Sequence, residues 1–126
     1  MAKLYIAIGI GGMIGAIGRY GISVVFVTAS TLPYATLTAN LIGCFLLSFL
    51  LNNDNIKQML APKIHTAISV GIIGSFTTFS TFAIETIELW NNNGLFAVIY
   101  IVSSICGGLG FCYCGYKLAT RKQVRI

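Results

Sequence analysis

Charge is what this sequence has least of. Charged residues make up 9% of the 126-residue chain, against about 25% in an ordinary soluble domain. Acids are scarcer still, with 3 Asp+Glu against 8 Lys+Arg, and the first of them, Asp54, lies well into the chain. So little charge beside 56% hydrophobic residues excludes both a disordered chain and a typical soluble domain. The net charge of +5 comes from missing acids rather than from clustered bases, which excludes a nucleic-acid binder. No nucleophile–base pair and no metal-ligand cluster stands out, so an enzyme is not expected. Cys44, Cys106, Cys112 and Cys114 all fall inside apolar stretches. Cys112 and Cys114, two apart, point in different directions on a helix and read as small packing residues.

What the chain has instead is long apolar runs. Residues 4–18, 20–53, 65–84 and 89–116 carry no charge. A helix needs about 20 apolar residues to cross about 30 Å of hydrocarbon. Thr28, Ser30, Thr31 and Pro33 divide the longest run, because proline removes a donor and disfavours helix in the residue before it. The expected architecture is an all-α integral membrane protein, one unit over 1–126, with spans at about 4–26, 34–51, 64–89 and 95–116. Asn52-Asn53-Asp54-Asn55 forms a polar stop, residues 57–63 a loop containing Pro62, and Asn91-Asn92-Asn93-Gly94 a tight turn. No small-x-small site followed by a soluble chain marks the first span as a cleaved leader. Tyr5, His65 and Trp90 sit at span boundaries, where they meet the lipid interface.

Four spans put both termini and the middle loop on one side. That side carries Lys3, Lys57, Lys63, Lys117, Arg121, Lys122 and Arg125, while the other loops carry no cation and Glu85 and Glu88 lie toward them. The positive-inside rule therefore orients both termini to the cytoplasm of an inner (plasma) membrane.

The spans themselves are not uniformly greasy. Small residues recur every four positions at Ala7, Gly11 and Gly15, at Ala35, Ala39 and Gly43, and at Ser104, Gly108 and Cys112. Such stripes let helices approach closely, within the chain or against a second subunit. Thr36, Asn40, Cys44 and Ser48 form a polar stripe. An unpartnered amide at the depth of Asn40 costs several kcal/mol, so Asn40 either bonds a neighbouring helix or lines a wet path. Residues 71–82 read GIIGSFTTFSTF, with hydroxyls at Ser75, Thr77, Thr78, Ser80 and Thr81. Hydroxyls crowded after Gly71 and Gly74 point to a helix interrupted near its middle, which is tolerated only in a protein interior or beside water. An interruption frees carbonyl oxygens, which suit hard cations such as Na⁺. Phe76, Phe79 and Phe82 alternate with the hydroxyls. Phenyl edges are electropositive, so edges beside hydroxyl and amide donors could hold a small anion without a fixed charge that would trap it. Arg19 is the one base within a span; it either snorkels to the nearer surface or marks a functional site.

GIIGSFTTFSTF followed by Glu85, GAIGRY at 15–20 and TLTANLIGCF at 36–45 resemble the motifs of the fluoride channels called Fluc or CrcB. Length and span number also match, so the resemblance covers nearly the whole chain. It implies a passive exporter of F⁻, which enters acidic surroundings as HF, ionises inside and leaves down its gradient. It implies an antiparallel dimer with two pores at the interface. The pore residues that match are Asn40, Phe79 and Phe82, with Ser80, Thr81 and Ser104 on the polar track. A structural Na⁺, not itself transported, is implied between backbone carbonyls of Gly74 and Thr77 from both subunits. Arg19 and Glu85 are further candidates without an assigned role. The residues alone do not choose fluoride over other anions. Ala35 and Ser48 stand where the family often has glycine. The seven-to-none cation bias also departs from homodimers that insert both ways, and leaves a paralogous partner of opposite bias open. A small multidrug exporter would need a carboxylate in the first span, which is missing. A non-transporting accessory subunit is the other alternative.

Overall fold

The computed structural model describes residues 1–27 and 31–121. Thr28 and Ser30, expected to help break the long run, and Lys122 and Arg125 of the basic tail lie outside the described residues. The described residues contain no strand. Four helical spans are long and apolar enough to cross a membrane. They are α1 (Ala2–Val25), α2 (Tyr34–Asn52), a composite third span over Pro62–Asn92, and the last helix, Gly94–Arg121. Even α2, the shortest at 19 residues, covers about 28 Å at about 1.5 Å per residue.

The connection after α2 differs from the loop expected there. Asn53 takes an extended conformation and its side-chain oxygen accepts from the Ile56 N–H at 3.1 Å, capping a short helix, α3 (Asp54–Met59). An N-cap amide satisfies one of the donors that every helix start leaves over. Pro62 then opens α4 (Pro62–Thr66), a position that asks for no N–H. The chain passes without a break into a π-helix, Ala67–Ile73, and then into a single turn, α5 (Gly74–Phe76). Thr77 is extended (φ −84°, ψ 156°), and helix resumes as α6 (Ser80–Asn92). The interruption expected near the middle of the third span is therefore at 77–79. Asn93 alone separates α6 from α7 (Gly94–Arg121), its side chain accepting from the Leu95 N–H at 3.0 Å. α7 outruns the expected 95–116 and carries Lys117 and Arg121 as part of the helix.

The contacts set the direction of each span. Thr36, Asn40 and Gly43 of α2 meet Glu85, Thr78 and Thr77 in turn, so α2 is antiparallel to the third span. Leu41, Cys44 and Phe45 meet Gly107, Gly108 and Gly115, so α2 and α7 run parallel. Gly11 and Gly15 of α1 track Ala67 and Ile72, so α1 runs parallel to the third span. Successive spans alternate, and Lys3, Lys57, Lys63, Lys117 and Arg121 all belong to the same end.

Close approach explains the glycines. A Cβ on Gly11 would stand 2.6 Å from the Ala67 carbonyl oxygen, and one on Gly71 would stand 2.6 Å from that of Ile8. On Gly15 it would collide with the Ile72 carbonyl. The stripe on α1 is thus spent on the π segment of the same chain. Those on α2 and α7 also meet neighbours in the chain, Gly43 against Thr77 and Gly108 against Cys44. The polar stripe of α2 turns the same way, with the Ser48 hydroxyl donating to the Cys112 carbonyl at 2.7 Å. A small core of Leu89, Ala97 and Tyr100, flanked by Leu32, Leu37, Phe82 and Phe96, closes the α6–α7 hairpin onto the start of α2. Most other large apolar side chains face outward, as a lipid-embedded protein requires.

Candidate ion pathway

The break in the third span is held from α2. Asn40 accepts from the Thr78 N–H at 2.8 Å and donates through its amide nitrogen to the Thr78 carbonyl at 3.0 Å. One side chain thereby satisfies both backbone groups of a residue that has left the helix, where no water-free alternative exists. Thr78 in turn caps α6, its hydroxyl oxygen accepting from the Thr81 N–H at 3.2 Å and lying 3.1 Å from the Thr81 hydroxyl and 3.3 Å from that of Ser80. Thr77 donates its hydroxyl to the Ile73 carbonyl at 3.1 Å and reaches the Gly74 carbonyl at 3.5 Å.

Two cavities flank this break. One is a groove of about 400 Å³ lined by Asn40, Cys44, Thr77, Phe79, Phe82 and Ser104 among others. The other is a vestibule of about 320 Å³, lined by Arg19, Tyr20, Ser23, Thr36, Thr81 and Glu85 among others. Thr78 belongs to both walls. Of the side chains singled out from the sequence as an anion path, the groove collects Asn40, Phe79, Phe82 and Ser104. Thr81 faces the vestibule, while Ser80 is exposed and belongs to neither lining. Of the two alternatives posed for Asn40, the bond to a neighbouring span is present, and the residue also lines the groove. Its amide nitrogen carries a second N–H beyond the one given to Thr78.

Ser104 is the odd member. Its oxygen is buried and has no hydrogen-bond partner among the described residues, although a helical serine can ordinarily bond back to the carbonyl four residues earlier. Thr86, Thr66 and Ser69 all make that local bond, so Ser104 differs from its own chain's habit. A buried hydroxyl left open beside a cavity is a donor waiting for a ligand or water. The phenyl rings form a ladder: Phe79 and Phe82 have centroids 5.9 Å apart with planes at 42°, and Phe82 lies 5.1 Å from Tyr100, again at 42°. Phe79 is 80% exposed.

In the vestibule each oxygen of the Glu85 carboxylate accepts one hydroxyl donor. The Thr36 hydroxyl donates to one oxygen at 2.8 Å and the Tyr100 hydroxyl to the other at 2.7 Å. Arg19 lines the same cavity. Sequence reasoning passed over Tyr100. Its signal was a tyrosine four residues before Ser104, away from the span ends where tyrosines usually sit, with a hydroxyl that needed a partner.

The implied Na⁺ can be tested against the residues that would hold it. α5 ends at Phe76, and the last carbonyls of a helix lack internal partners. Gly74 is exposed, and nothing comes nearer than 3.9 Å to where its Cβ would be, so another backbone could pack against it. Carbonyl oxygens on an open glycine face are the right chemistry for a hard cation.

A family model for CrcB-like proteins (camphor resistance, CrcB) matches residues 6–116. Among curated proteins, the chain is 44% identical over 112 residues to a fluoride-specific ion channel, FluC 1, of Desulfitobacterium hafniense, covering 88% of this chain and 98% of that one. It is 46% identical over 122 residues to FluC 1 of Bacillus cereus, covering 94% and 89%. FluC 2 of Geobacillus kaustophilus is 40% identical over 119 residues, covering 92% of each. With four membrane-length helices, a third span broken at 77–79 and these relatives, the chain is a multi-pass membrane protein that belongs to the CrcB family.

Proposed function

We propose that this protein is a fluoride-selective channel through which F⁻ leaves the cytoplasm passively, and that the groove beside the broken helix is half of its path. The observation that carries the reading is the donor set of that groove: the unpartnered Ser104 hydroxyl, the second N–H of Asn40 and the rings of Phe79 and Phe82. A small anion shedding water needs several short donor contacts to replace its hydration. Hydroxyl, amide and phenyl edge supply them, and among the described residues no fixed cation lines the groove to hold the ion too long. Arg19 in the vestibule serves to raise the local anion concentration. Thr81 and Ser80 continue the polar surface at the start of α6.

The other half of the path belongs to a second subunit, packed antiparallel. Phe79, a large apolar ring 80% exposed beside the groove, and the open face at Gly74 both ask for a cover. Two subunits so related form two paths. Carbonyls of Gly74 and Thr77 from both subunits hold Na⁺ at the centre, where a bound cation would supply charge balance and tie the subunits together. The partner is a second copy or a paralogous chain of opposite orientation. The one-sided cations of this chain favour a fixed orientation, with both termini cytoplasmic in the inner membrane.

The test is anion efflux from liposomes containing the purified protein, alone or with a paralogue. F⁻ leaves far faster than Cl⁻ if the reading holds; equal rates from folded protein remove it.

A further inference from the structure

We infer that the end of the bundle where α1 begins and α7 finishes is a binding surface for anionic phospholipid headgroups, centred on Lys57 and Lys63. The inference does not depend on which ion the groove carries. Five cations share that end: Lys3 at the start of α1, Lys57 on α3, Lys63 on α4, and Lys117 and Arg121 on the last turns of α7. The packing draws their elements together. Lys63 lies one turn before Ala67, whose carbonyl faces Gly11 of α1, so it stands about one turn inside Lys3. Gly115 faces Phe45 and Phe49 of α2, so Lys117 and Arg121 follow the helix end from which α3 and Lys57 continue. All five side chains are exposed, and among the described residues none has a hydrogen-bond or ion-pair partner. The one acid at this end, Asp54, sits in the first turn of α3, where the helix start favours a negative charge. Like charges around one rim repel each other, and a single carboxylate offsets only one of them, so the excess calls for anions from outside the chain.

The cations do not stand on a purely polar surface, and this is what selects a lipid. Met59, Ile64 and Leu118 are large apolar side chains exposed among them, Met59 by 84%. Bases beside outward apolar side chains form an interfacial surface, with the apolar groups entering the acyl region and the bases at phosphate depth. A free phosphate or an acidic protein would leave those apolar side chains in water. A phospholipid covers them with its chains while its phosphate meets the bases, and long lysine stems suit that geometry. The rim also lies at the end of the bundle, so a second subunit packed alongside the spans leaves it open to headgroups. At the opposite end the loops carry no cation, and Glu88 lies toward them, so the attraction is one-sided.

The experiment is thermal unfolding of the full chain in neutral detergent with added phosphatidylglycerol, phosphatidylcholine of the same acyl chains, or glycerol phosphate. A ligand that binds the folded form raises the melting temperature. Phosphatidylglycerol raises it well beyond phosphatidylcholine, high salt shrinks that gain, and glycerol phosphate leaves it unchanged. Lys57→Gln combined with Lys63→Gln weakens phosphatidylglycerol binding about 25-fold, or about fivefold per cation. The same variant melts like the native protein without lipid, because neither side chain has a partner within the chain. Each single variant loses about fivefold, so the test stands even if the double variant does not fold. Equal gains from the two lipids reduce the surface to an apolar contact and overturn the inference. An equal gain from glycerol phosphate assigns the surface to a free anion and overturns it as well. Variants that keep the whole phosphatidylglycerol gain place the lipid elsewhere and overturn the assignment to Lys57 and Lys63.

Discussion

Replacing Asn40 by aspartate separates the two tasks that residue performs. The carboxylate keeps an acceptor for the Thr78 N–H, now as a charge-assisted bond, while the donor to the Thr78 carbonyl is lost and two oxygens are left about where the 3.0 Å bond had been. Leaving that carbonyl unsatisfied costs about 1–3 kcal/mol, toward the lower end because Thr78 is only part-buried and water in either cavity can reach it. The fold should survive. The groove should not tolerate the change, since it gains a negative charge next to a passing anion. At about 4 Å separation the repulsion is about 1 kcal/mol in bulk water and about 4 kcal/mol in surroundings of intermediate polarity. With about 1.4 kcal/mol per factor of ten, F⁻ flux falls between about fivefold and a thousandfold. Asn40→Ala gives the complementary result: both bonds to Thr78 vanish, so stability drops more and no charge is added. The assay pairs F⁻ efflux from liposomes with thermal unfolding in detergent. An Asn40→Asp protein that conducts F⁻ at the native rate refutes the reasoning, whatever its stability.

Phe79→Ile and Phe82→Ile should each lower F⁻ flux, but only Phe82→Ile should also lower the melting temperature, because Phe82 packs on the Leu89–Ala97–Tyr100 core while Phe79 is 80% exposed; unchanged flux in both would make the rings mere packing. Replacing Na⁺ by a large organic cation should loosen subunit association, and radioactive Na⁺ should not cross with F⁻; association indifferent to Na⁺ would remove the central ion. A cysteine at Asn92, with the four native cysteines replaced, should be labelled almost completely from outside intact cells by an impermeant reagent, whereas labelling of about half would show insertion both ways and restore a homodimer.

The membrane architecture was legible because it rests on one large effect. Uncharged runs of this length have no other low-energy environment, and Pro33, Asn53 and Asn93 mark where three of the helices start or stop. The break was legible because Ser75 to Thr81 crowd more hydroxyls together than local back-bonding accounts for. The π-helix before it was not, since its wider turn answers to α1 pressing Gly11 and Gly15 onto residues 67–72, a contact between distant segments. The short α3 was missed for a smaller reason: six residues lack the periodicity that reveals longer helices, and only the Asn53 cap announces them. The small-residue stripes suggested a partner surface, yet several of their glycines are used inside the chain, because spacing alone cannot say which neighbour a stripe serves. Asn40 was recognised as costly, but its pairing with Thr78 depends on α2 lying antiparallel to the third span. Tyr100 went unnoticed because its importance comes from Glu85 and Phe82, fifteen and eighteen positions earlier.

The pairing of first span with third and of second with fourth has a consequence for how the protein is made. α1 finds the surface its glycines fit only when residues 67–76 have been synthesised, and α2 packs chiefly on α7, the last helix to emerge. Neighbouring spans therefore cannot complete one another as they leave the ribosome. Until the third span follows, α2 holds Asn40 without its partner Thr78, and until the final helix is released it holds Ser48 without its bond to Cys112. The contacts that define the structure join segments far apart in sequence, an arrangement that delays folding and prolongs exposure of unfinished surfaces. A chain truncated just before Gly94 has all the residues of the broken helix and its Asn40 clamp, but leaves the face of α2 without the helix it was shaped to meet. The packing of α2 is complete only with the last helix.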